Sequence, residues 1–179
     1  MTALQQHQKL CYRFSTLLSY PELSVVAEAK ACSTELKDCN AEAAALLSNF
    51  TDFLAANALT RSEEAFTGTF DLQAHCHPYV GYQLCGESQQ RTLFMIKLQE
   101  LYKQHHFASG NELPDHLTEL LRFIGSISDQ TCRQEIIEDG LLPALEKITV
   151  GNECDGHPYI TLLQALQRFL SETVTDEEC

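Results

Sequence analysis

The sequence predicts an all-α fold, a single-domain bundle of about nine helices over residues 1–170 with a short acidic tail at 171–179. Two observations carry this. Apolar residues return at i, i+3, i+4 and i+7 in one segment after another, and no segment sustains the period-two alternation of a half-buried strand. Capping residues, glycines and prolines fall between those segments, where helices start and stop. No internal repeat or low-complexity linker interrupts the chain.

Leu4, Leu10, Cys11, Phe14, Leu17 and Leu18 share one face of a first helix. Tyr20-Pro21-Glu22 ends it, because the residue before a proline avoids the α region. Ser24 is placed to cap a shorter second helix through Leu36, and Asn40 to cap a third that carries Leu46, Leu47, Phe50, Phe53 and Leu54. Thr60 to Glu63 has the capping-box spacing, so a fourth helix is expected to begin there. The apolar and aromatic run from His77 to Gly86 reads as a short buried helix with Gly86 as a left-handed stop, and Ser88 then caps the next one. That next helix shows the strongest periodicity in the chain, with Phe94, Met95, Leu98, Leu101 and Tyr102 on one stripe ending near His106.

After a Ser/Gly/Asn loop, a helix is expected from Pro114 with Leu117, Leu120, Leu121, Ile124 and Ile127 on its core face. Asp129 to Thr149 continues helically, with a break or kink at Gly140 and Pro143. Pro158 opens a last helix through Leu170, and the end of the chain from Thr173 reads as frayed.

The charge balance is strongly acidic: 25 Asp and Glu against 12 Lys and Arg give a net charge of -13. Such a field repels phosphate backbones and attracts basic peptides, so nucleic acid is not an expected partner. No apolar run reaches the roughly 20 residues of a membrane span, and the N-terminus lacks the basic and apolar regions of a signal peptide. A soluble cytoplasmic protein is expected. In that setting the eight cysteines, Cys11, Cys32, Cys39, Cys76, Cys85, Cys132, Cys154 and Cys179, read as thiols rather than a disulfide framework.

Catalytic and metal chemistry find little support. His75, Cys76 and His77 with Cys85 are ligand types that zinc accepts, but residues i and i+2 of a helix point roughly 200° apart, and no CxxC or HxxxH pair completes a set. His105 and His106 sit together at a helix end, where positive charge is favoured. Ser88 in Gly86-Glu87-Ser88 is not part of a GxSxG elbow, and no phosphate-binding glycine run is present. Neither a catalytic residue, a metal nor a cofactor is assigned.

The segment Glu112-Leu113-Pro114-Asp115-His116-Leu117 poses a sharper question. Pro114 suits a first helical turn, and Glu112 and Asp115 lie where the positive end of a helix favours anions. Asp115 and Glu119, at i and i+4, repel one another unless a cation lies between them, and a basic ligand is one source of that cation.

These stretches resemble a family. "LLSYPE" at 17–22, "FTGTFDL" at 66–72, "GYQLCGESQQRTLFMIKLQELY" at 81–102, "ELPDHLTELLRFI" at 112–124, "LLPALEKI" at 141–148 and "PYITLLQAL" at 158–166 are similar, in that order, to the cytoplasmic NarJ/TorD-type assembly chaperones of molybdenum enzymes. The middle section is closer to the NarJ-like, nitrate reductase delta subunit branch. The resemblance implies an all-α protein that is not an enzyme. It would bind the N-terminal peptide of the apo catalytic subunit of a nitrate reductase or related reductase, and hold it for insertion of the bis-guanine-dinucleotide molybdenum cofactor. On the matched positions it implies Glu112, Pro114, Asp115 and His116, with Glu87, Arg91 and Tyr102 from the preceding helix region; Glu119 joins them as the partner of Asp115 across one helical turn. The chain departs from the family at Cys85, where many relatives carry histidine or an aromatic residue before the Gly-Glu-Ser. Two readings of other classes stand beside it: a thiol or metal sensor using Cys76, Cys85 and the histidines, and a permanent structural subunit of a respiratory complex.

Overall fold

The structure is a computed structural model that describes residues 2–150 and 157–175. Cys154, Cys179 and the last four residues of the acidic tail lie outside the described residues. The described chain is all-α, in the order α1 (Ala3–Leu17), α2 (Val25–Lys37), α3 (Ala41–Ala56), α4 (Leu59–Phe70), α5 (Val80–Cys85), α6 (Gln89–Gln104), α7 (Leu117–Ser126), α8 (Gln130–Glu135), α9 (Leu142–Thr149) and α10 (Pro158–Thr175). A single 3-10 turn, Ala74–Cys76, precedes α5, and a π-helical stretch, Ile136–Leu141, joins α8 to α9. Gln130 to Thr149 is thus continuously helical with an irregular middle, and counted so the described residues form nine helices, against the about nine that the periodicity implies.

Where helices begin follows from capping chemistry. Asn40 accepts the Ala43 N–H at 2.7 Å and Ser88 the Arg91 N–H at 3.3 Å, as their spacing predicts. The box expected at Thr60–Glu63 does not form: α4 starts at Leu59 with Ala58 in the cap position, so Thr60 is already inside the first turn and its side chain cannot cap. Ser24 precedes α2 without a side-chain cap bond. Gly86 ends α5 with φ +63°, the left-handed backbone that glycine adopts without penalty. Where a break or kink is expected at Gly140 and Pro143, the helix continues through a π-helical segment that contains Gly140, and Pro143, with no N–H to donate, lies in the first turn of α9 immediately after it. Helix α10 runs five residues past Leu170 to Thr175, so the helix is longer than the apolar pattern that defines it.

α1 lies between α2 and α7, α3 between α2 and α10, and α9 between α10 and α5. Leu10, Cys11, Phe14 and Leu17 of α1, Leu47 and Phe50 of α3, the predicted α7 face, and Leu162, Leu163, Leu166 and Phe169 of α10 are all buried in one core. An aromatic group links this core to the α1–α2 connection: Tyr159 meets the rings of Phe50, Phe66 and Phe70 at 5.1, 5.5 and 5.4 Å, and Phe66 meets Tyr20 at 5.5 Å.

Candidate functional site

Two loops that are far apart in sequence are tied together at the front of α5 and α7. Val80 N–H donates to Asp115 O at 2.8 Å and Leu117 N–H to Pro78 O at 2.7 Å, an antiparallel bridge between Tyr79 and His116. The bridge holds His116 extended after a turn at Pro114 and Asp115, and for that reason α7 starts at Leu117 with His116 as its cap, not at Pro114 as the sequence suggests. Pro114 instead offers its carbonyl to the Tyr102 hydroxyl at 2.7 Å, which fixes α6 against the same loop.

Under the bridge lies a buried ion pair. Asp115 is 0% exposed and Arg91 7%. Arg91 Nε donates to Asp115 Oδ2 at 2.8 Å and Nη2 to Oδ1 at 3.4 Å, while Nη1 donates to Glu87, which is exposed. The guanidinium also faces the rings of Tyr79 and Tyr82, at 5.3 and 5.8 Å from their centroids. Gly81 makes room for the carboxylate: a Cβ there would stand 2.7 Å from Asp115 Oδ2.

Glu119, also buried, has its own cation. Arg122 Nη1 donates to both its oxygens, at 2.9 and 3.1 Å, and Gly110 N–H donates to Oε2 at 3.0 Å. The repulsion that the i, i+4 spacing implies between Asp115 and Glu119 is therefore relieved inside the protein, one arginine to each carboxylate. The expected cation exists, but the chain supplies it.

His116 occupies the boundary between this interior and the surface. Its Nδ1 accepts the Thr118 N–H at 3.2 Å and lies 2.6 Å from the Thr118 hydroxyl, and its ring meets Tyr79 edge-on at 5.1 Å. Burial pushes its pKa below the ordinary histidine range, against the opposing pull of Glu112, Glu119 and Asp115.

A concave site of about 310 Å³ opens beside His116. Its apolar lining is Leu18, Phe66, Phe70 and Pro78 with the rings of Tyr20 and Tyr79, and its acids are Asp71 and Glu112. No lysine or arginine lines it. Burial raises the Tyr79 pKa, and the nearby charges of Glu112, Asp115 and Asp71 raise it further. A second hollow of about 340 Å³ shares Ser19 and Tyr20 with the first and is also lined by Tyr12, Glu22 and Arg122, beside the α1–α2 connection.

The structure brings the eight residues singled out from sequence into one region, in two layers. Arg91, Asp115, Tyr102 and Glu119 form the buried framework; Glu112 and His116 line the cavity, Pro114 is half-buried behind them, and Glu87 is exposed at the far side of Arg91. Sequence reasoning did not single out Tyr20, Phe66, Phe70, Asp71 or Tyr79, which make most of the cavity wall. Their signal lay in "LLSYPE" and "FTGTFDL", stretches without chemistry of their own.

The His75–His77 cluster disperses. His75 is exposed, Cys76 is buried, and His77 Nδ1 lies 3.1 Å from Phe70 O. Among the described residues no three His, Cys, Asp or Glu side chains come close enough together to hold a metal ion. Ser88 is engaged as the α6 cap. No helix among the described residues is long and apolar enough to cross a membrane.

The profile of the family described as "Nitrate reductase delta subunit" matches residues 36–148, more than half of the chain and every buried residue of the framework. A solved structure described as a putative redox enzyme maturation protein from Archaeoglobus fulgidus is similar in fold, with a TM-score of 0.62 at 20% identity over 96% of each chain. No curated protein sequence matches the chain.

Proposed function

Because the chain belongs to the nitrate reductase delta subunit family, we propose that it is a maturation chaperone that binds the N-terminal peptide of the apo catalytic subunit of a molybdenum-containing reductase. It holds that subunit ready for cofactor insertion and then releases it, acting in the cytoplasm and catalysing no reaction itself.

The observation that carries this reading is the cavity between the α1–α2 connection, the end of α4 and the Tyr79–His116 bridge. Its aromatic floor suits apolar side chains, and Asp71 and Glu112 at its rim have no cationic partner among the described residues. A protein of net charge -13 steers a basic segment toward such a rim. Glu112 and His116 are assigned to direct contact with the peptide. Arg91, Asp115, Tyr102 and Glu119 are positioning residues that fix the loop carrying them, and Pro114 and Glu87 complete that frame.

The test is capture and titration. Tagged protein purified from its own cells is expected to bring down a reductase catalytic subunit lacking cofactor, and calorimetry with a synthetic peptide of that subunit's N-terminus is expected to show binding. Recovery of the chain only within the mature, cofactor-loaded enzyme would instead favour a permanent structural subunit.

A further inference from the structure

We infer that His116 reads the main chain of the bound peptide, donating a hydrogen bond from Nε2–H to one of its carbonyl oxygens. The inference rests on the peptide reading above and adds the atom that recognises the backbone and the form of the ring that does so.

The argument starts from the proton count of a neutral imidazole, which has one donor and one acceptor nitrogen. Nδ1 is committed as the acceptor, since the backbone N–H of Thr118 points to it at 3.2 Å and the Thr118 hydroxyl lies at 2.6 Å. The proton is then on Nε2. His116 is only 8% exposed and lines the 310 Å³ cavity, and among the described residues Nε2 has no hydrogen-bond partner. Nε2 is not sealed from solvent, so water meets its proton in the free protein, and an occupant that brings a carbonyl oxygen takes that water's place.

The surrounding groups narrow the occupant. Asp71 and Glu112 line the same cavity with no basic residue among them, so a cation fits there. Leu18, Phe66 and Phe70 offer apolar surface for the stem of that cation. An extended peptide with an arginine or lysine supplies all three features: charged head, aliphatic stem and carbonyl acceptor. A metal ion or a simple amine supplies no acceptor for Nε2–H, and a nucleic acid is repelled by the acids.

Two substitutions separate the two nitrogens. His116→Asn keeps a short acceptor in the cap position of α7, where asparagine is favoured, but cannot reach the Nε2 position. His116→Gln places an amide N–H near the Nε2 position and caps poorly. The probe is a capped synthetic peptide of alternating arginine and leucine, titrated by calorimetry, with thermal melting of each variant alongside. His116→Asn is expected to melt like the parent and to bind about tenfold more weakly, whereas His116→Gln is expected to melt lower and to keep its affinity within about threefold. Parent-like affinity in His116→Asn overturns the inference and leaves the peptide reading standing; so does a loss of affinity that follows melting temperature in both variants. Failure of the parent itself to bind the peptide overturns both. Nitrogen NMR of the ring gives a readout independent of any peptide: a proton on Nε2 in the free protein is expected, and a proton on Nδ1 overturns the inference.

Discussion

The carboxylate of Asp115 and the guanidinium of Arg91 meet at 2.8 Å with almost no access to solvent, and they join the loop before α7 to the first turn of α6. Neutralising Asp115 leaves the buried Arg91 guanidinium with only the exposed Glu87 as a charged partner, and breaking a buried pair costs about 3–5 kcal/mol. Asp115→Asn is therefore expected to destabilise the protein strongly, measured as a drop in the urea midpoint. The spacing of Asp115 and Glu119 alone predicts the opposite sign, since removing one of two like charges would then relieve repulsion. Replacing both Arg91 and Asp115 by leucine is expected to cost less than Asp115→Asn, because no orphan charge remains.

Gly81 and Gly68 make a contrasting pair. A Cβ at Gly81 would stand 2.7 Å from Asp115 Oδ2 and 2.9 Å from Phe94 Cδ1, whereas a Cβ at Gly68 in α4 meets nothing within 4 Å. Gly81→Ala is expected to lower stability by about 1–3 kcal/mol through overpacking. Gly68→Ala is expected to raise it by up to about 1 kcal/mol through helix propensity. Both are read from the same unfolding curves, and equal effects at the two sites would show that the ion pair gives way easily.

Neutralising the cavity rim is expected to change binding without changing stability. Asp71 and Glu112 are exposed, so Asp71→Asn with Glu112→Gln should leave the melting temperature within a degree or two while weakening a basic peptide about fivefold. The parent's affinity should also fall with added salt, since exposed charges are screened over about 10 Å at 0.1 M. Calorimetry at low and high salt checks both, and a double variant with parent-like affinity would remove the acids from recognition.

Much of the scaffold was legible in the sequence because it depends on local rules. The core face of α7, the caps at Asn40 and Ser88 and the stop at Gly86 each follow from residues within a few positions of one another. The start of α7 was not legible, because the backbone of Pro78 and Val80, more than thirty residues earlier, pairs with this loop and holds His116 extended. The partner of Asp115 was hidden for the same reason, since Arg91 lies on α6. Arg122, only three residues from Glu119, was within reach of local spacing and was not singled out. The cavity wall escaped notice because its aromatic residues come from three separate elements.

The remaining prediction concerns acid and a histidine outside the site. His7 on α1 stacks on Phe169 of α10 at 5.1 Å, with Cys11 Sγ 3.7 Å from its Nδ1. Burial, and then the charge of Arg133, push its pKa down from 6.5 to about 4. The unfolded chain therefore binds a proton near pH 6.5 that the folded chain refuses until about pH 4, and stability must fall as pH is lowered through that window. The full shift corresponds to about 3 kcal/mol, and roughly 2 kcal/mol is expected because His7 is only partly buried. His116 and His157, both shifted down chiefly by burial, add to the loss in the same direction. Glu35, held low by its hydrogen bond from Arg13, withdraws its contribution only below 4.5, so the slope above pH 5 belongs to the histidines. His7→Phe keeps a ring against Phe169 and removes the titration. Urea midpoints measured from pH 7 to pH 5 should then decline less steeply in the variant than in the parent; identical slopes would mean that His7 takes its proton in the folded protein as readily as in the unfolded chain.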